Sequence, residues 1–60
     1  MNSVEIKEIR LKLGLSQEAF AHAIGVACVT MNRWENGHSL PSRLAIEKMK
    51  TLRKAKDDKK

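Results

Sequence analysis

The sequence predicts an all-α fold, a compact bundle of four or five short helices. Three observations carry that prediction. Apolar residues recur at three- and four-residue spacings, the period of a helix with one buried face. Gly14, Gly25 and the Asn36-Gly37 pair each follow such a stretch, where a helix stops. There is almost no alternation of β-branched or aromatic residues from which to build a strand, and no internal repeat.

The first helix runs from about Ser3 or Val4 to Leu13. Ser3 is its expected N-cap, with Glu5 in the positive first turn. Ile6, Ile9 and Leu13 fall on one face, and Gly14 ends the helix. The second runs from about Gln17 to Ile24. Ser16 caps it, Glu18 sits in its first turn, and Phe20, Ala21 and Ile24 face inward. Ala21 is small enough for a neighbouring helix to cross closely. Gly25 stops this helix and lets Val26 turn back into the core.

The third helix runs from about Cys28 to Asn36. Met31 and Trp34, three apart, face inward with Val26, which leaves Cys28, Val29, Asn32 and Arg33 outside. His38 to Pro41 is a short loop, and Pro41 sets the entry to a fourth helix from about Ser42 to Lys54. Ala45, Ile46, Met49 and Leu52 give that helix its apolar face. The domain is thus placed at residues 1–54. Residues 55–60, AKDDKK, lack apolar content and are expected to be a basic, frayed tail.

Sixty residues make one domain. A chain this short buries only about 60% of the surface its unfolded form exposes. Its single cysteine, Cys28, excludes an intrachain disulfide. One Cys and two distant His make a poor metal site, and no cofactor is expected. Helix packing, helped by dimerisation, remains as the source of stability. The polar N-terminus is unlike a secretory signal, and no apolar run approaches the roughly 18 residues a membrane span needs. A cytoplasmic protein with no membrane partner is therefore expected.

The formal net charge of +5 is uneven. Residues 1–42 carry four basic groups (Lys7, Arg10, Lys12, Arg33) and four acidic ones (Glu5, Glu8, Glu18, Glu35). Residues 43–60 carry eight basic and three acidic groups, which supply the whole excess. A basic balance suggests a polyanionic partner, or simply a solvated lysine-rich end.

Helices two and three, residues 17–36 with a tight turn at Gly25, have the layout of a helix-turn-helix. The second helix of that unit is shaped to enter the major groove of duplex DNA. The chain resembles the lambda-repressor/Cro family of helix-turn-helix domains, common among phage repressors and small bacterial regulators. The matching residues are Gly14-Leu15-Ser16-Gln17, Ala21, Gly25-Val26, Thr30-Met31, Arg33-Trp34-Glu35-Asn36-Gly37 and Pro41. They cover roughly residues 5–52, and their combination is specific where each alone is weak.

The resemblance departs at three places. A fifth helix that pairs subunits in the family is not expected here. Ala27 stands where Ser or Thr often caps the third helix. Cys28 and Val29 stand where polar base readers are usual.

The resemblance implies a sequence-specific DNA binder, a repressor-like regulator acting as a homodimer on a two-fold operator. Gln17 matches a family position that holds a DNA phosphate beside the free N–H groups of a helix start. Ala27, Cys28, Val29, Asn32 and Arg33 are the candidates for base contact. Arg33 can donate to guanine O6 and N7, Asn32 can pair with adenine N6 and N7, and Cys28 and Val29 suit a thymine methyl. Thr30, Asn36, His38, Ser39 and Arg43, with Ser42, are candidates for gripping phosphates. Arg10 and Glu35 match residues that pair in the family and tie the first helix to the third.

Other function classes compete with this one. An antitoxin or other protein-interaction module would neutralise a partner protein while regulating its own promoter, and the chain fits that description too. Trp34 as a stacking platform for single strands competes with its place in the core, which its spacing favours. No paired carboxylates, Ser/His/Asp or Cys/His constellation lies at useful spacing, so an enzyme is not expected.

Overall fold

The computed structural model describes residues 1–57. Four helices occur among them: α1 (Ser3–Leu13), α2 (Gln17–Ile24), α3 (Cys28–Glu35) and α4 (Arg43–Asp57). No strand occurs among the described residues. The two short helices α2 and α3 cross each other, and α1 and α4 pack across them.

One apolar cluster holds the four together. Ile6 and Ile9 come from α1, Phe20, Ala21 and Ile24 from α2, Met31 and Trp34 from α3, and Ala45 and Met49 from α4. Met1, Leu13, Leu15, Val26 and Leu52 pack against its edge. These are nearly the residues that helical spacing selects. Leu13, Val26, Ile46 and Leu52 are the exceptions, only half-buried, with Ala45 and Met49 taking the centre of the α4 face.

The caps explain where the helices begin. Asn2, not Ser3, caps α1. Its side chain accepts from the Glu5 N–H at 2.9 Å, and Glu5 accepts from the Asn2 N–H at 3.1 Å. This reciprocal box needs a Glu or Gln three residues after the cap, and Glu5 stands three after Asn2 but two after Ser3. Ser16 caps α2 as expected, accepting from the Ala19 N–H at 3.0 Å. Ser42 lies just outside α4 and caps it through the Ala45 N–H at 3.2 Å. The helix therefore begins at Arg43 and not at Ser42.

The ends follow the same logic. Gly25 takes φ +90°, and the Val26 N–H then donates to the Ala21 carbonyl at 2.9 Å, which folds Val26 onto the core. Lys48 of α4 reaches the same end and donates to the Ile24 carbonyl at 3.2 Å, placing a cation at the negative pole of α2. The helix α3 ends at Glu35, with Asn36 as its cap instead of its last residue. The helix α4 continues to Asp57, past the expected end at Lys54. Ala55 and Lys56 are good helix formers, and Lys54 and Lys56 complement the dipole of the last turn. The rest of the expected tail, residues 58–60, lies outside the described residues.

Ala27 leaves the start of α3 without a side-chain cap. Its backbone already has the extended conformation of a cap, φ −68° and ψ 149°. Ala27→Ser is therefore expected to stabilise the domain by about 1 kcal/mol. In a domain of this size that raises Tm by about 4–8 °C in a thermal melt. An unchanged Tm would show that the first N–H groups of α3 lose nothing by lacking a side-chain acceptor.

Candidate nucleic-acid interface

The inward anchoring of α3 decides what its other side presents. Met31 and Trp34 are buried, so Cys28, Val29, Asn32 and Arg33 are turned outward and all four are exposed. Ala27, one residue before the helix, is exposed as well. Positions 28, 29, 32 and 33 share one helical face. Its only formal charge is the guanidinium of Arg33, because Glu35 is turned the other way. A face that is positive, polar at two positions and apolar at two others can meet base edges and backbone oxygens of a duplex. Trp34 is 6% exposed and cannot serve as a stacking platform.

Glu35 meets Arg10 from α1. Arg10 Nε donates to Glu35 Oε2 at 2.7 Å, and Nη2 donates to Oε1 at 3.2 Å. A third bond runs from Arg10 Nη1 to the Leu15 carbonyl at 3.1 Å. The two side chains are 14% and 4% exposed. One planar guanidinium thus holds the end of α3 and the loop before α2 to the same point on α1, a geometry only arginine offers.

Gln17 is the first residue of α2 and is half-buried. Its side-chain oxygen accepts from Asn32 Nδ2 at 3.2 Å, so the start of α2 lies against the middle of the outer face of α3. Asn36 Nδ2 in turn donates to Asn32 Oδ1 at 3.0 Å. Thr30 and Ser39 are half-buried, and His38 and Arg43 are exposed. His38, Ser39 and Arg43 follow one another along the connection from α3 into α4. Gly37 takes φ +76°, and the His38 N–H donates to the Arg33 carbonyl at 2.9 Å, which turns the chain into that connection.

The amide chain Asn36–Asn32–Gln17 is not visible in the sequence as a unit. The spacing of Asn32 and Asn36 by four residues signals half of it. The link to Gln17 depends on how α2 and α3 cross, which no local rule supplies. Lys48 at the end of α2 is hidden for the same reason.

The described residues contain no cluster of three or more His, Cys, Asp or Glu able to hold a metal. An open groove of about 230 Å³ lies beside Ala23, Glu47, Lys48, Thr51 and Leu52. It is smaller than the closed sites of about 300–1,000 Å³ that take small molecules. No helix among the described residues is long and apolar enough to cross a membrane.

With α2 and α3 crossed over a shared core and one face of α3 free, the comparison with known families is decisive. A family described as helix-turn-helix matches residues 6–52. The chain belongs to that family, of the lambda-repressor/Cro kind. This helix-turn-helix family is one of DNA-binding domains, and the chain is a DNA-binding domain. Over 47 residues it is 45% identical to the type II methyltransferase M1.ScrFI of Lactococcus lactis subsp. cremoris. That match takes in 73% of this chain and 12% of the methyltransferase. No solved structure matches.

Proposed function

We propose that this helix-turn-helix chain binds specific sequences of duplex DNA in the cytoplasm, as a small repressor-like transcriptional regulator. The observation that carries the reading is the outer face of α3, where Asn32 and Arg33 stand beside Cys28 and Val29 with no acidic side chain among them. The helix α3 lies in the major groove. Arg33 donates to a guanine, Asn32 meets an adenine, and Ala27, Cys28 and Val29 give apolar contact to thymine methyls. Gln17 holds a phosphate on one side, with Thr30. His38, Ser39 and Arg43 hold phosphates on the other. The lysines of α4 add attraction that is independent of sequence and falls with salt.

One module of this size buries too little surface for tight specific binding, so the active form is a homodimer on a two-fold operator. Leu40, 81% exposed in the connection between α3 and α4, and Leu44, 68% exposed in the first turn of α4, are the candidate pairing surface.

Titration of ¹⁵N-labelled protein with duplex DNA tests the docking. The expected amide shifts concentrate at residues 16–19, 27–33 and 37–43, and leave the exposed face of α1 at Val4 and Leu11 unmoved. Shifts confined to α4 would mean a charge contact only and would reject the docking.

A second reading, an antitoxin that binds a partner protein and also regulates its own promoter, is favoured by the same exposed leucines. A stable protein complex that persists after nuclease treatment is the result expected on that reading; recovery of the chain alone would reject it.

A further inference from the structure

Gln17, Asn32 and Asn36 form a directional chain of side-chain amides across the two helices of the motif. Each link has a defined sense. Asn36 donates to Asn32 Oδ1, and Asn32 donates to Gln17 Oε1. Gln17 is left with both N–H groups of its amide for a further acceptor. A phosphate oxygen accepts only, so an anion at Gln17 requires its Nε2 to face outward and its Oε1 to face Asn32. The anion thereby selects the observed sense over the reversed one.

The sense matters because of what it leaves on Asn32. A primary amide has two N–H donors and two acceptor lone pairs. Asn32 spends one of each inside the chain. It keeps one donor and one acceptor, the pair that meets N7 and N6 of adenine. Turning the amide over exchanges the two and removes the match.

We propose that Asn36 is a positioning residue for base specificity. It touches no base, but it fixes the amide of Asn32 in the adenine-reading sense and couples that sense to phosphate binding at Gln17. The inference rests on the duplex-DNA reading above and replaces a direct phosphate grip by Asn36. Without the Asn36 donor the amide of Asn32 can turn over, which changes the bond it makes to Gln17.

The test has two arms. In the free protein, Asn36→Ala is expected to shift the side-chain NH₂ resonances of Gln17, which Asn36 reaches only through Asn32. Unmoved Gln17 signals overturn the proposal without reference to DNA. In the second arm, wild type, Asn36→Ala and Asn36→Asp each select duplexes from a random pool. Aspartate can only accept, so it reverses the link to Asn32.

Asn36→Ala is expected to lower the preference for adenine at one position by about tenfold, with Tm and binding to unrelated duplexes unchanged. Asn36→Asp is expected to abolish that preference. Its added charge weakens all duplexes alike and cancels in the ratio between sequences. Gln17→Ala is expected to relax the same position. An equal loss on all sequences from Asn36→Ala would make Asn36 a phosphate contact and overturn the proposal, as would an unchanged preference. If wild type itself selects no motif, the duplex-DNA reading fails and takes this role with it, whatever the amide resonances show.

Discussion

Arg10→Ala is expected to leave the domain largely unfolded at 37 °C. The substitution strips the partner from Glu35, whose side chain is 4% exposed. Removing one member of a buried pair costs about 3–5 kcal/mol, because the remaining charge is left without water or a counterion. At roughly 0.05–0.15 kcal/mol per residue, a chain of this length has about 3–9 kcal/mol in all, so the loss takes most of it. The loss also frees the Leu15 carbonyl, which Arg10 holds at 3.1 Å.

A second variant separates charge burial from loss of packing. Arg10→Met with Glu35→Leu removes both charges and keeps apolar bulk, and is expected to recover most of the stability. Denaturant midpoints for the two variants decide the matter. A single variant within about 1 kcal/mol of wild type would mean that the pair behaves as a surface pair. Because the pair ties α3 to α1, the double variant is also expected to bind DNA less well than its stability suggests.

Arg33→Ala is expected to act on binding and leave stability alone. Arg33 is exposed and makes no contribution to the core. Its loss should cost about 1–3 kcal/mol of specific affinity and relax the preference at one base pair. Thermal melting should not change. An equal loss on every sequence, with a shallower dependence on salt, would move Arg33 from base reading to phosphate contact.

Much of this molecule is legible in the sequence because its signals are local. Ser16 and Gly25 bracket α2, and Phe20, Ala21 and Ile24 mark its buried face. Met31 and Trp34 orient α3 and so identify Asn32 and Arg33 as outward. The first cap is also written locally, in the spacing from Asn2 to Glu5, which the expectation of a cap at Ser3 missed. The end of α4 was less legible, because AKD carries no stop signal and low apolar content does not by itself end a helix.

What depends on how the helices cross was not legible. The reach of Lys48 to Ile24 and of Asn32 to Gln17 joins residues that no periodicity connects. The Arg10–Glu35 pair is equally non-local, and family resemblance, not spacing, brought its two members together.

Selection of bound duplexes from a random pool at physiological salt separates sequence-specific binding from attraction by charge. The expected result is an inverted repeat with half-site centres about one helical turn apart. Each half-site should contain a guanine that Arg33→Ala no longer selects. Recovery of no common motif, with binding that vanishes as salt rises, would contradict it. The chain alone would then be a charged, non-specific binder.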